Sequence, residues 1–127
     1  MNNILKKEFN VYSEKCPSRN VLGGISDKWS ILLIKLLSVK IYRFGELKRE
    51  IGGISPKMLT QTLLKLERYG FIKRQLFPIL PMKVEYSLTK LGKELSHILK
   101  LLTTWTEANM DEIIQAENAF IKMQKDP

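Results

Sequence analysis

A mainly α-helical fold carrying one small β-hairpin is predicted for this 127-residue chain, on three observations. Apolar residues recur at spacings of three and four through most of the chain, as amphipathic helices require. Two short runs, Phe71 to Phe77 and Lys83 to Leu88, alternate in parity instead, as half-buried strands do. Between the helical stretches stand Gly-Gly pairs and capping residues such as Asp27 and Ser55. The length fits one domain.

Residues 1–15 are polar with scattered apolar positions and are expected to form an arm or a short helix. Cys16-Pro17-Ser18 introduces a short helix, with Pro17 near its start and Gly23-Gly24 near its end. Asp27 is the expected N-cap of a helix over about Lys28 to Leu37. Its apolar residues, Trp29, Ile31, Leu32, Leu33, Ile34, Leu36 and Leu37, cover nearly the whole circumference, which predicts a central, buried helix. Phe44, Leu47 and Ile51 mark one face of a short helix that Gly52-Gly53 ends. Ser55-Pro56 starts the next, with Ser as N-cap and Pro at the first helical position; it should run to about Tyr69, with Gly70 beyond it. The two alternating runs follow. Pro78-Ile79-Leu80-Pro81 between them suits a hairpin tip, since proline cannot sit in a central strand. Thr89 is the expected N-cap of the last helical stretch, whose apolar side is Leu91, Leu95, Ile98, Leu99, Leu102, Trp105, Ile113 and Ile114. It is one long helix or two, with Thr103-Thr104 or Asn109 as the break.

Charge narrows the function classes. The net charge is +8, and it is unevenly spread. Residues 1–104 hold 19 Lys and Arg against 8 Asp and Glu; residues 105–127 hold 2 against 5. A basic body points to a polyanion partner or to a solvated surface, and charge alone does not separate the two. No apolar run approaches the roughly 20 residues that a membrane span needs. The first ten residues have no secretory apolar core, and the single cysteine allows no intrachain disulfide; both fit a cytoplasmic protein.

The order helix, short helix, Gly-containing turn, Ser-capped helix, hairpin, long helix is that of a winged helix-turn-helix, with the hairpin as a β-wing. A helix fits the DNA major groove, and its outward side chains reach base edges. On a 100° wheel, Leu59, Leu63 and Leu66 of the Ser55 helix face the core, while Lys57, Gln61, Leu64 and Arg68 face outward with Thr60 and Lys65 beside them. Gln pairs bidentately with adenine, Lys meets guanine or phosphate, and Thr touches a thymine methyl. The bland alternative is an ordinary solvated face. Against it, residues 40–74 carry nine basic residues and three acidic ones, where a DNA backbone would lie. The candidate DNA-binding residues are Arg43, Ser55, Lys57, Thr60, Gln61, Lys65, Lys73, Arg74 and Lys83. Leu64 either meets a thymine methyl or is covered by the wing or a partner subunit.

These segments resemble the HxlR-type winged helix-turn-helix regulators, relatives of the MarR type. The resemblance rests on Cys16-Pro17, Gly24-Ile-Ser-Asp-Lys-Trp29, Arg43-Phe-Gly-Glu-Leu47, Gly53-Ile-Ser-Pro-Lys-Met-Leu-Thr60, Leu66-Glu-Arg-Tyr-Gly-Phe-Ile-Lys-Arg74, and Pro81-Met-Lys-Val-Glu-Tyr-Ser-Leu-Thr89 with Gly92 after it. No single segment is specific; their order and spacing over residues 16–105 are. The resemblance implies a homodimer, built partly from N- and C-terminal dimerisation helices, on a pseudo-palindromic operator. It divides the chain into an arm (1–15), a winged helix-turn-helix DNA-binding domain (16–89) and a C-terminal dimerisation helix or helices (90–127). It also implies, for some members, an oxidant or electrophile effector sensed at the cysteine that matches Cys16. Lys15, Arg19 and the following helix N-terminus would lower the pKa of that thiol; the alternative is a small, buried apolar residue. The chain departs from the pattern at Leu64, at the apolar wing tip Phe77 to Met82, and in lacking a second cysteine, so no pairing of two different cysteines operates here.

An enzyme is not expected. The lone histidine, His97, sits within the last helical stretch, and there is no metal-ligand cluster, nucleophile motif or phosphate loop, so no cofactor is expected. Trp29, Tyr86 and Trp105 read as core, with a small-molecule pocket unassigned. The competing class is a winged-helix interaction module that binds protein or RNA, which the apolar wing tip supports.

Overall fold

A computed structural model describes residues 8–125; the rest of the expected arm, residues 1–7, lies outside them. The elements are α1 (Pro17–Ile25), α2 (Lys28–Leu37), α3 (Phe44–Glu50), α4 (Pro56–Arg68), β1 (Ile72–Phe77), β2 (Lys83–Leu88), α5 (Lys90–Ala108) and α6 (Met110–Lys125). Residues 8–15 form turns and no helix. The chain is a mainly α winged helix-turn-helix fold with a two-stranded wing, as the spacing predicts.

The caps are where the sequence places them. The Asp27 carboxylate accepts from the Ser30 N–H at 3.0 Å, and the Ser55 hydroxyl accepts from the Met58 N–H at 3.0 Å. The Thr89 hydroxyl oxygen accepts from the Gly92 N–H at 3.1 Å. Gly70, at φ 81°, turns the chain from α4 into the wing. β1 and β2 pair antiparallel from Ile72–Leu88 at the base to Phe77–Lys83 at the tip.

Two compact units are present, one ending at Ser96 and one starting at His97. The core of the first is Leu33, Ile34, Leu37, Leu47, Ile51, Ile54, Leu59, Leu63, Leu66 and Ile72, all buried. Tyr42 adds a bridge to the wing that the sequence does not announce: its N–H donates to the Tyr86 carbonyl at 3.1 Å, and the Tyr86 N–H donates back at 2.8 Å.

Two expectations are corrected, for α2 and for Trp105, and one open alternative is decided, for the last stretch. Helix α2 is buried on one side only: among the described residues Leu32 and Val39 are exposed and Leu36 is half-buried, and this side borders a groove with Ile51 and Gly52. The last stretch is two helices that part at Asn109, whose side-chain amide donates to the Trp105 carbonyl at 2.7 Å. Trp105 is not core: it is 61% exposed, within a run that includes exposed Ile98, Leu101 and Leu102.

A candidate nucleic-acid interface

Gly53, at φ 83°, lets the chain reverse between α3 and α4, a conformation that costs a side-chain-bearing residue about 1–2 kcal/mol. Pro56 then occupies the first helical position, where no N–H partner is needed. Leu59, Thr62, Leu63 and Leu66 form the buried side of α4. Thr62 escapes sequence reasoning because it is polar; its hydroxyl donates to the Met58 carbonyl at 2.7 Å, so it is buried and satisfied.

The opposite side exposes Lys57, Thr60, Gln61, Leu64 and Arg68. Lys57, Thr60 and Gln61 thus share one outward face beside the Ser55 cap. Leu64 is 56% exposed and edges a cleft with Phe44, Thr60, Glu67, Arg74 and Tyr86. Next to α4, Lys73 and Arg74 extend from β1 and are exposed. Arg43 is exposed at the start of α3; its N–H donates to Glu46 Oε1 at 2.8 Å. That hydrogen bond holds the Glu46 carboxyl below its usual pKa.

Two other candidate cations have carboxylate partners within the chain. Lys65 Nζ donates to Asp27 Oδ2 at 2.7 Å. Lys83 lies 3.5 Å from Glu85 and over the Phe77 ring at 4.6 Å. The wing tip is apolar and open: Ile79 and Met82 are exposed, and Leu80 is 99% exposed.

Cys16 occupies the N-cap position of α1 and is partly exposed, not buried. Its thiol is held below the ordinary pKa, first by a hydrogen bond with the Ser18 hydroxyl at 3.1 Å, then by the Ser18 and Asn10 N–H groups. The Ser18 N–H belongs to the helix N-terminus expected to act there, whereas Lys15 and Arg19 are not among the causes. A groove lined by Phe9, Val11, Pro17, Val21, Leu22 and Ile25 lies alongside.

A Ser-capped helix with an outward polar face, preceded by a short helix and a tight turn and followed by a wing, defines a helix-turn-helix protein of the transcription-regulator class. Comparison with known proteins agrees. The pattern of the HxlR-like helix-turn-helix family matches residues 24–114, and the chain belongs to that family. It is 44% identical over 108 residues to the HTH-type transcriptional regulator YtfH of Escherichia coli, covering 85% of this chain and 86% of that one. The ytfH regulator of Salmonella typhimurium has a similar structure, with TM-score 0.82 and 40% identity over 87% of this chain and 99% of that one. The redox regulator HypR in its reduced form is also similar, with TM-score 0.72 and 34% identity over 78% of this chain and 98% of that one. The protein is a transcriptional regulator of the helix-turn-helix type, and that class implies DNA binding. No helix among the described residues is long and apolar enough to cross a membrane.

Proposed function

We propose that the protein is a sequence-specific regulator that binds a pseudo-palindromic operator in the cytoplasm as a homodimer. Helix α4 enters the major groove. Gln61 reads a base there, Lys57 and Thr60 contact bases or phosphates, and the Ser55 end faces the backbone. Lys73 and Arg74 on the wing and Arg43 at α3 neutralise phosphates. The observation that carries this reading is the outward row Lys57, Thr60 and Gln61 on a Ser-capped helix, beside the exposed Lys73 and Arg74.

The proposed division of labour follows the sequence. Residues 16–89 bind DNA, residues 1–15 form an arm, and residues 90–127 dimerise. The exposed apolar residues of α5 and α6, among them Ile98, Leu101, Trp105 and Phe120, support the last assignment, since a lone soluble domain rarely exposes so much contiguous apolar surface. The apolar groove along α1 is a second surface that stays open among the described residues.

Cys16 is the proposed oxidant or electrophile sensor. Its partial exposure and lowered thiol pKa support this, as does the likeness to HypR, described as a redox regulator.

A footprint of the purified protein upstream of its own and neighbouring genes tests the reading. Protection of two half-sites about one helical turn, or a multiple of it, apart is expected. A second reading, a module that docks on a protein or RNA through its wing, is favoured by the full exposure of Leu80. Binding to duplex DNA that falls steeply with salt argues against it.

A further inference from the structure

Three donor groups, two from Ser30 and one from Lys65, meet around the Asp27 carboxylate. Asp27 caps α2 by accepting the Ser30 N–H at 3.0 Å. The Ser30 hydroxyl, fully buried, has Asp27 Oδ2 at 2.8 Å and the Gly24 carbonyl of α1 at 3.2 Å. The third partner comes from 38 residues away: Lys65 Nζ on α4, at 2.7 Å. Gly24 closes the group, because a Cβ there would stand 3.0 Å from the Tyr69 ring and 3.7 Å from the Lys65 stem. The end of α1, the start of α2 and the second half of α4 therefore converge on Asp27.

An exposed ion pair contributes little when two long side chains must both be ordered. Here one partner is held independently of Lys65, since the Ser30 N–H and hydroxyl both bond to the carboxylate. Lys65 is also only partly exposed, with 25% of its side chain open to solvent. It lies one turn after Gln61, and both border a cleft with Asp27, Trp29, Met58 and Thr62. Rotation of α4 about its axis would stretch the Lys65–Asp27 bond and swing Gln61 out of line. The Gly24-Ile-Ser-Asp-Lys-Trp29 segment contributes none of the residues assigned above to base or phosphate contact, and this cluster gives it a role.

We propose that Asp27 is a positioning residue for the reading helix, acting through Lys65, so that Lys65 serves as an internal strut and not as a phosphate contact. This rests on the assignment of α4 as the reading helix.

The test compares Asp27→Ser, Lys65→Met and the double variant with the wild type. Serine keeps a hydroxyl acceptor for the α2 cap while removing the charge, so loss of the cap does not dominate the result. Each protein is titrated with its footprinted duplex and with a scrambled duplex at several salt concentrations, and its urea midpoint is measured without DNA. The strut predicts that each single variant narrows the ratio between the two duplexes by roughly three- to tenfold, and that the double variant loses no more than either, because contacting residues are non-additive. It also predicts non-additive midpoint shifts, and a salt slope for Lys65→Met equal to that of the wild type. The opposite pattern overturns it: Lys65→Met weakens both duplexes alike and flattens the slope by about 1, as loss of a phosphate contact does, while Asp27→Ser tightens binding. Additive midpoint shifts overturn it as well. If the wild type shows no preference between duplexes, the reading-helix assignment fails, and the urea cycle still decides whether the strut exists.

Discussion

Gly92, in the first turn of α5, faces the carbonyl oxygen of Phe71 so closely that a Cβ at position 92 would overlap it. The same carbonyl accepts the Thr89 N–H at 3.1 Å, and the Thr89 hydroxyl donates to the Gly70 carbonyl at 2.6 Å. Helix α5 thus starts against the backbone that leads from α4 into the wing. Gly92→Ala has to displace backbone and not a flexible side-chain end. It should destabilise the fold by about 1–3 kcal/mol, the cost of overpacking a tight site. Urea unfolding checks this; Gly52→Ala, whose Cβ would meet nothing within 4 Å, is the control and should change little.

Acid should loosen the Asp27 cluster. Burial pushes the Asp27 carboxyl upward, but hydrogen bonds from Lys65 and Ser30 outweigh it and leave the pKa below the ordinary value. A carboxyl depressed on folding stabilises the native state above its unfolded pKa of about 4, and that contribution is lost as pH falls through the folded value. The urea midpoint of the wild type should therefore drop faster below about pH 4 than that of Asp27→Ser. Parallel curves for the two proteins would contradict this.

The proposed dimer predicts a mass in solution of twice the 14.8 kDa chain at micromolar concentration. Charging the apolar run of α5 should shift that mass toward the monomer, and Trp105→Lys is the sharpest variant because the side chain is exposed in the single chain. Sedimentation of both proteins reads the outcome. A wild-type monomer would remove the dimer from the account.

For Cys16 the expected response is lost or altered operator affinity after diamide, which takes one electron from each of two thiols. As the chain has one cysteine, those thiols are two copies of Cys16, or Cys16 and a small thiol, and the product is a disulfide. Cys16→Ser should not respond. Unchanged affinity after demonstrated modification of Cys16 would exclude sensing through this residue.

Much of this architecture was legible in one sequence because its signals are local. Asp27, Ser55 and Thr89 cap the helices their spacing predicts, and the parity of Val84, Tyr86 and Leu88 set the second strand. What was not legible depends on distant partners. The Tyr42–Tyr86 bridge is too short to leave a periodicity. Lys65 lies beside the outward face of its helix on a wheel, and only the fold brings Asp27 to it. Trp105 and Leu32 are apolar residues that pattern reasoning places in a core, whereas the single chain leaves both open. The outward row of α4 was readable, since Leu59, Leu63 and Leu66 fix which way the helix turns.

Selection from a pool of randomised duplexes, run in parallel with the wild type and Gln61→Ala, tests the central claim that the outward face of α4 reads sequence. The wild type should enrich a pseudo-palindrome. Gln61→Ala should lose preference at one position of each half-site, at a cost of about 1–3 kcal/mol if the contact is bidentate. Lys73→Ala and Arg74→Ala should instead weaken binding to all sequences and flatten its salt dependence. Identical affinity and identical enriched sequences for the wild type and Gln61→Ala would contradict the assignment of the reading face.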